Sequence, residues 1–469
     1  MFGLIKSLVK DHLYTLKSTK FDTEGFIEDV LAKSRRLQEQ YSPFIAINDS
    51  ANAEGAGGML YGLPVSVKDN ICTRGLQTTA GSRILEGYVP PFDATAVAKV
   101  RQVGGIVIGK TAMDEFGFGT FATTCAYGVP KNPFDKDRSC GGSSGGAACV
   151  TAAADFPHIA LAQSTGGSIT APAAFTGTVG LTPTYGRVSR YGLIDFSNSM
   201  DKIGVISRCV YDSALMLSVM SGYDPLDSTS SAMPSQDYTK YMTDSLVGVR
   251  IAVPREYFSD VVDRRISERV MDALAQLEDC GATYESVSLA TTKYAIAAYY
   301  LIAVSEASTN LAKYCGLRYG LHDSIDGNFD AYFSKVRSEG FGEEAKRRII
   351  LGTFARLAGF RDAYYLKALK VRTKIIEEFK EVFRKFDVIA TPSMPILPPR
   401  FSEIERMAPI EKYNVDLLTT APNMAGVPTL SVPTGTVGGL PSGMQLIADH
   451  FREDALVKVG SVCEGLKWK

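Results

Sequence analysis

The chain has 469 residues, 45% hydrophobic and 22% charged, the make-up of a globular protein large enough for one big α/β body or for two or three domains. Fifty basic residues against fifty-one acidic ones leave a net charge of −1, so no global field draws nucleic acid or an anionic membrane, although a local basic patch has room. No stretch reaches the apolar length of a membrane span. The eight cysteines form no CxxC pair and have no histidine at metal-ligand spacing, which predicts reduced thiols in a cytosolic protein with neither a disulfide framework nor a metal site.

The first twenty residues, MFGLIKSLVKDHLYTLKSTK, carry charges every few positions and read as an amphipathic helix, not a signal peptide. Residues 24–40 have helical periodicity and lead into the strand PFIAIND. The Gly-rich turn AEGAGG precedes a strand in GLPVSVKDNI. ATAVAKVRQVGGIVIGK reads as helix, Gly-Gly stop and strand, an α/β crossover unit. GGSSGG opens a helix over GGAACVTAAA, HIALAQS is an apolar strand, and GGSITAPAAF starts the next helix. Beyond Gly180 the chain is loop-rich to about residue 207, and DPLDSTSSAMPSQDYTK (224–240) reads as a surface excursion. VRIAVP and ISERVMDALAQLEDCGA resume the strand–helix pattern, and residues from about 288 to 386 are almost wholly helical in character. FDVIATPSMPILPP is a strand running into a proline-rich loop, and the tail gives strands and a last helix. With no internal repeat and no low-complexity linker, a single α/β domain over 1–469 with a helical excursion at about 288–386 is expected.

Two clusters of small residues hold serines, Ser143/Ser144 in GGSSGG and Ser168 in STGGS. Such clusters also make ordinary turns. Both of these stand at predicted helix starts, where unpaired amides can hold an anion. STGGS follows an apolar strand, so Thr165, Gly166 and Gly167 can turn their amides toward one point beside Ser168, as an oxyanion hole requires. Gly142–Gly146 matches G-x-S-x-G around Ser144, but that elbow needs a buried strand before it, and KNPFDKDRSC is polar. A serine still needs a base. His12 and His322 lie in polar sequence, His158 in an apolar run, and His450 in the exposed-looking ADHFRED, so a structural role is the reading for all four. Lys68 closes the alternating strand PVSVK on the Ser66 side. Held among apolar groups it loses solvation of its charged form and can serve as a neutral base. A strand-end lysine contributes little packing, so its truncation is expected to spare the fold.

GLPVSVKDNI, GGSSGG and STGGSITAPAAFTGTVGLTPTYGRVSRYGL, in that order, closely resemble the three signatures of the amidase signature family, and the resemblance runs from about residue 24 to 465 with a signature core at about 60–210. It implies a large mixed central sheet covered by helices on both faces and a Ser–cis-Ser–Lys triad: Ser168 as the acyl-forming nucleophile, Ser143 as the bridging serine on a cis peptide, Lys68 as the base. TPTYGRVSRYGLIDFSNSMDKIG, YYLIAVSEASTNLAKYCGLRYG, RRIILGTF and VDLLTTAPNMAGVPTLSVP are similar to the tRNA-dependent amidotransferase branch. That resemblance implies glutamine as substrate, read by Arg348 at its carboxylate and Asp416 at its ammonium, with Tyr299 as a further contact. It also implies B-type and C-type partner subunits, tRNA reached through the complex, and no cofactor in this chain, with ATP and Mg²⁺ at the B-type partner. A free-standing amidase acting on another amide is the alternative.

Three features depart from the family pattern. Ser164 stands where the family usually has aspartate, and Thr170 where it usually has arginine; the two read as an ion pair lost together. Ser143 and Ser168 are 25 positions apart, one more than expected, with the extra residue assigned to the ADFPH turn. FGTFATTCAYG (118–128) replaces a polar, glutamate-bearing version, which bears on pocket shape or ammonia routing.

Overall fold

The structure, a computed structural model, describes residues 7–18, 22–52, 57–324 and 327–467. The N-terminal helix is described as Leu8–Ser18; its predicted first residues, and most of the AEGAGG turn, lie outside the described residues. The strands in chain order are β1 (Phe44–Ile47), β2 (Pro64–Lys68), β3 (Ile106–Thr111), β4 (Lys131–Asn132), β5 (Asp135–Ser139), β6 (Ile159–Ser164), β7 (Val179–Thr182), β8 (Lys202–Ser207), β9 (Arg250–Pro254), β10 (Thr283–Val287), β11 (Val388–Pro392), β12 (Thr429–Val437) and β13 (Leu440–Ala448). Eleven of them form one sheet in the order β1-β3-β2-β6-β8-β7-β12-β13-β11-β9-β10, while β4 and β5 make a separate two-stranded ribbon. The sheet is mixed. β3, β2 and β6 run parallel, as do β11, β9 and β10, and the remaining pairs are antiparallel.

Strand alternation divides the core into two layers. Val65, Val67, Leu161, Ile203, Val205, Leu430 and Leu446 face one way and pack with residues of the helices Thr95–Gln102, Val210–Met220, Arg264–Asp279 and Glu453–Cys463. On the other face Ala160, Ala162 and Ile206 meet Ala147 and Ala148 of the helix Gly145–Ala153. Ala252, Ile389 and Ile447 meet the helices Ala295–Asn310 and Lys367–Phe383 there. Each fully buried aliphatic side chain in these layers contributes roughly 1.5–3 kcal/mol. The expected helical excursion consists of Ala295–Asn310, Phe329–Gly340, Glu343–Arg356 and Lys367–Phe383. Among the described residues no helix is long and apolar enough to cross a membrane, and all eight cysteines are free.

One expectation is corrected and one is refined. The stretch read as loop-rich after Gly180 holds β8, six residues buried throughout, and adjoins β7. A strand covered on both faces shows no polar alternation, so its period is invisible in sequence. Residues 224–240 are the expected surface excursion, mostly exposed, but they are tied down at buried Asp224, Asp227 and Tyr238. Asp224 is buried and accepts from Ser189 Oγ, Thr95 Oγ1 (both 2.5 Å) and the Leu226 amide (2.9 Å). Tyr238 is wholly buried and accepts from Arg187 Nε at 2.7 Å.

Burial pushes the Asp224 carboxyl up, but the Ser189 and Thr95 hydroxyls outweigh it and hold the group below the usual carboxylate range. Its stabilisation is therefore present above the unfolded value and lost as pH falls through the lower folded value. Asp224→Ala is expected to lower the urea unfolding free energy by roughly 1–3 kcal/mol at pH 7, with the deficit shrinking in acid. A deficit that does not change with pH would show that the charge is not what anchors the segment.

Candidate active site

Alternation along β2 turns Val65 and Val67 to one layer and Ser66 and Lys68 to the other, toward the helix Gly145–Ala153. Lys68 is 0% exposed. Its Nζ lies 2.7 Å from Ser143 Oγ, 2.9 Å from the Gln163 carbonyl and 3.1 Å from Gln163 Oε1. Burial pulls the amine down to about 7, against the raising pull of Asp114 and Asp201. Lys68 thus sits inside the protein, and the expectation that truncation spares the fold is corrected. Lys68→Ala opens a cavity and strips Gln163 of a donor, where an orphaned buried polar group costs about 1–3 kcal/mol.

The serine loop is fixed by its backbone. The Gly142–Ser143 peptide is cis. The Gly142 amide donates to the Thr120 carbonyl (2.6 Å), the Asp114 amide to the Ser143 carbonyl (3.2 Å), and the Ser144 amide to the Ser168 carbonyl (3.3 Å). A Cβ on Gly142 would lie 2.1 Å from Asp114 Oδ2, so only glycine fits. The strand before this loop, β5, belongs to the partly exposed β4–β5 ribbon and not to the main sheet, as the rejection of a nucleophile elbow expects.

β6 ends at Ser164 and passes into Thr165-Gly166-Gly167-Ser168. Thr165 Oγ1 donates to Asp201 Oδ1 at 2.6 Å, and Gln163 Nε2 donates to both Thr165 Oγ1 (2.7 Å) and Asp201 (3.1 Å). A Cβ on Gly166 would lie 2.5 Å from the Tyr299 ring, and one on Gly167 would lie 2.1 Å from Thr419 Oγ1. Ser168 is 9% exposed. A direct bond between the Ser143 and Ser168 hydroxyls is not among those formed by the described residues; the two serines are joined through the Ser144 amide. Of the three predicted oxyanion donors, the Gly167 amide is taken by Ser164 Oγ at 3.2 Å, so Thr165 and Gly166 carry that expectation in this conformation. Ser164 Oγ also meets Asn423 Oδ1 (3.3 Å), and Thr170 Oγ1 is buried without a hydrogen-bond partner. The two replaced positions are both interior, but they are not bonded to each other.

None of the histidines reaches this cluster. His158 Nε2 is 2.9 Å from Ser66 Oγ, and burial pushes its imidazole down to about 3. His12 is buried against the Gly62 carbonyl and His450 is half-buried against the Ala425 carbonyl, contrary to the polar and exposed settings expected of them. His322 is exposed.

Arg348 is buried, not a solvated helix charge. Its Nε donates to Glu344 Oε1 (2.8 Å), and its guanidinium lies 5.0–5.6 Å from the ring centroids of Phe118, Phe196, Tyr300 and Tyr413. Its terminal nitrogens have no hydrogen-bond partner among the described residues, and the residue lines a cavity of about 350 Å³ walled by the Phe118–Thr124 loop, Glu343, Glu344, Arg347 and Tyr413. Asp416 accepts from Thr120 Oγ1 (3.0 Å to each oxygen) and from the Tyr300 hydroxyl (3.3 Å), and burial pushes its carboxyl up to about 7 against the pull of Thr120 and Arg348. Tyr300, rather than Tyr299, is the tyrosine bonded to Asp416; Tyr299 packs on Gly166. The first part of the departing segment, 118–124, lines the cavity wall. A larger open cleft of about 940 Å³ between Asn48–Asn52, Arg74–Leu76 and Gly105–Val107 contains none of these residues. Sequence reasoning missed Gln163, Asp201, Thr120, Tyr300 and Glu344. Only Gln163 had a signal, a polar residue inside an otherwise apolar strand.

A buried lysine bonded to a serine, beside a second serine on a glycine loop, is an arrangement for cleaving carbonyl derivatives by proton relay. The chain belongs to the amidase family, whose model (Amidase) matches residues 36–457. Among curated relatives, the A-type subunit of the glutamyl-tRNA(Gln) amidotransferase of Persephonella marina is 46% identical over 94% of this chain and 88% of its own length, and that of a Geobacillus strain is 44% identical over 96% of both. The solved A-type subunit of the Thermotoga maritima glutamyl-tRNA(Gln) amidotransferase superposes with a TM-score of 0.83 at 36% identity, covering 98% of this chain and 95% of that one. The fold is shared more widely: 6-aminohexanoate cyclic dimer hydrolase superposes at 0.84 with 21% identity, covering 98% of this chain and 97% of that one.

Lys68→Met keeps much of the side-chain volume and removes the amine. It is expected to lower kcat for amide hydrolysis by roughly 10²–10⁴-fold with a melting temperature closer to wild type than that of Lys68→Ala. Because the base must be neutral, kcat/KM of the unmodified chain should rise with pH through about 7 and then level off. A flat profile between pH 6 and 8, or an active Lys68→Met, would remove Lys68 as the base.

Proposed function

We propose that this chain is the glutamine-hydrolysing subunit of a tRNA-dependent amidotransferase, supplying ammonia for the conversion of Glu-tRNA(Gln), Asp-tRNA(Asn) or both in the cytoplasm. The observation that carries the reading is the buried amine of Lys68 at 2.7 Å from Ser143 Oγ, pulled by burial to about 7. The names of the relatives above support the particular role.

Ser168 Oγ attacks the side-chain amide carbon of glutamine while its proton passes to Ser143 Oγ, whose own proton passes to Lys68 Nζ. The oxygen that gains charge is held by amides of the Thr165–Gly167 loop. As the C–N bond breaks, the proton returns through Ser143 to the leaving nitrogen and ammonia departs, leaving an acyl ester on Ser168. Water then attacks the ester with the same relay and releases glutamate. In the Michaelis complex the Ser168 hydroxyl closes on Ser143, as catalytic hydrogen bonds that are long without substrate commonly do.

The cavity wall and the carboxylate bonded behind it at Thr120 together supply groups for both ends of a free amino acid. The open fork of Arg348 fits the α-carboxylate. Asp416 pairs with the α-ammonium, whose charge draws its carboxyl back down to the ionised form. Tyr299 supports the loop beside Ser168. B-type and C-type subunits complete the assembly; ATP and Mg²⁺ act on the B-type partner, and tRNA engages through the complex.

Purified chain, alone and co-expressed with B- and C-type subunits, tests the reading by ammonia release from glutamine. Strong release only in the complex, abolished by Ser168→Ala, is expected. Release from simple amides but not glutamine would make the chain a free-standing amidase, and full activity of the Ser168→Ala complex would make it a scaffold. Arg348→Ala should lower kcat/KM for glutamine by roughly one to two orders of magnitude, the worth of a hydrogen bond to a charged group, while hydrolysis of a small nonionic amide changes little. Equal losses on both substrates would mean that Arg348 does not read the carboxylate.

A further inference from the structure

Three acceptors surround the Lys68 amine, and they are not alike. The backbone carbonyl and Oε1 of Gln163, at 2.9 and 3.1 Å, can only accept, whereas Ser143 Oγ at 2.7 Å can also donate. A neutral amine with its two N–H groups on the Gln163 oxygens turns its lone pair to the one partner able to give up a proton. The backbone carbonyl is present whatever residue stands at 163. Oε1 is not, and its place depends on which way the side-chain amide is turned. Asp201, the residue before β8, decides that. Its Oδ2 accepts from the Phe196 and Ser197 amides (2.8 and 2.9 Å), and its Oδ1 accepts from Thr165 Oγ1 (2.6 Å) and Gln163 Nε2 (3.1 Å). Turned over, the amide would set Oε1 against this carboxylate and Nε2 against Lys68 and the Asn70 amide, which donates to Oε1 at 3.3 Å. Gln163 and Asp201 are both 0% exposed, and neither lines the cavity beside Arg348.

We infer that Gln163, turned by Asp201, is the positioning residue that aims the lone pair of Lys68 at Ser143. The inference rests on the relay proposed above. Without Oε1 the acceptors left to the amine are the backbone carbonyl and Ser143 Oγ. Both N–H groups then go to these two, and the Lys68–Ser143 hydrogen bond runs the wrong way for taking a proton. The ammonium form fills all three acceptors, so the aim matters once the amine is neutral. Asp114, after β3, and Asp201 are the carboxylates that face Nζ and favour the ammonium, and burial outweighs both, bringing the amine down to about 7. Asp114 is spent on the Ala122 and Thr124 amides (2.8 and 3.0 Å), and neither the helix Gly145–Ala153 nor β6 brings a charged side chain. Above pH 8 the rate therefore reads the aim of the amine and not its charge.

The test is a double-mutant cycle in the complex with the B- and C-type subunits, read as ammonia release from glutamine above pH 8. Gln163→Met has similar length and removes Oε1. Asp201→Asn keeps the shape: the Phe196 and Ser197 amides hold its oxygen, its NH₂ group takes the place of Oδ1, and Gln163 turns Nε2 onto Lys68. Each change is expected to lower plateau kcat by roughly ten- to a hundredfold, with KM little altered, and the rise of kcat/KM to move to lower pH as the ammonium loses support. With no amide at 163 to turn, Asp201→Asn should cost little more in the double variant, whereas two independent structural losses would multiply. Wild-type plateau kcat in either folded variant, or effects that multiply, overturns the inference, and Asp201→Asn alone decides it if Gln163→Met does not fold. If Lys68→Met is inactive in the same assay, the proposed relay stands without Gln163. A wild-type complex that cleaves simple amides but not glutamine overturns the proposed substrate, and the same cycle on the simple amide then decides the role of Gln163. A complex inactive on every amide overturns both.

Discussion

A neutral amine has two N–H groups and one lone pair, and the surroundings of Lys68 offer that set a matching reception. Both oxygens of Gln163 are within reach of Nζ, and Ser143 Oγ is the third neighbour. If Gln163 takes the two protons, the lone pair has only Ser143 to face. Gln163 is held in this orientation because its Nε2 is spent on Thr165 and Asp201, which leaves Oε1 pointing to Lys68 and Asn70. The same burial that weakens the charged form of the amine therefore also supplies acceptors that aim the neutral form. A water-exposed lysine would be charged and unaimed.

The sheet supplies this geometry through register. β2 and β6 are parallel neighbours with Val67 opposite Leu161, so Lys68 and Gln163 emerge together at the carboxyl ends of adjacent strands, where open α/β sheets place their sites. β6 then runs straight into the Ser168 loop, and the Asp114–Thr124 segment after β3 closes over the Gly142–Ser143 peptide from the other side. Three consecutive strands of the sheet thus deliver Lys68, Gln163 with the glycine loop, and the backbone that seats Ser143. The long-range packing of the two core layers holds these strand ends in place.

How much of this could be read from the chain follows from the range of each interaction. Lys68 on a strand, serines at helix starts and glycines where backbones crowd are local patterns, and they were legible. The sign of Lys68's burial was legible too, but its depth was not, because a residue at the end of β2 is covered by a helix some eighty positions later. Gln163 could be seen as a polar residue in an apolar strand but not as a partner of Lys68, since that needs the β2–β6 register. Tyr300, the Asp416 partner, was missed beside Tyr299 because one residue on a helix turns the side chain by about 100°, which spacing alone cannot orient. β8 was hidden because a strand covered on both faces carries no polar alternation, and the anchors of the 224–240 excursion because interior polar residues that pair with distant hydroxyls look like surface in a sequence.

Thr120 ties recognition to chemistry. Its hydroxyl donates to Asp416 and its carbonyl accepts from the Gly142 amide, one peptide away from Ser143. Burial raises the Asp416 carboxyl to about 7, and the ammonium proposed as its partner would favour the ionised form. A charged Asp416 pulls harder on the Thr120 hydroxyl, and any shift of that residue is felt through its carbonyl at the peptide that carries Ser143. Thr120 belongs to one of the segments in which this chain departs from the family pattern. Thr120, a residue of the cavity wall, therefore also holds the peptide that carries Ser143, so reshaping the wall there cannot be separated from reseating Ser143.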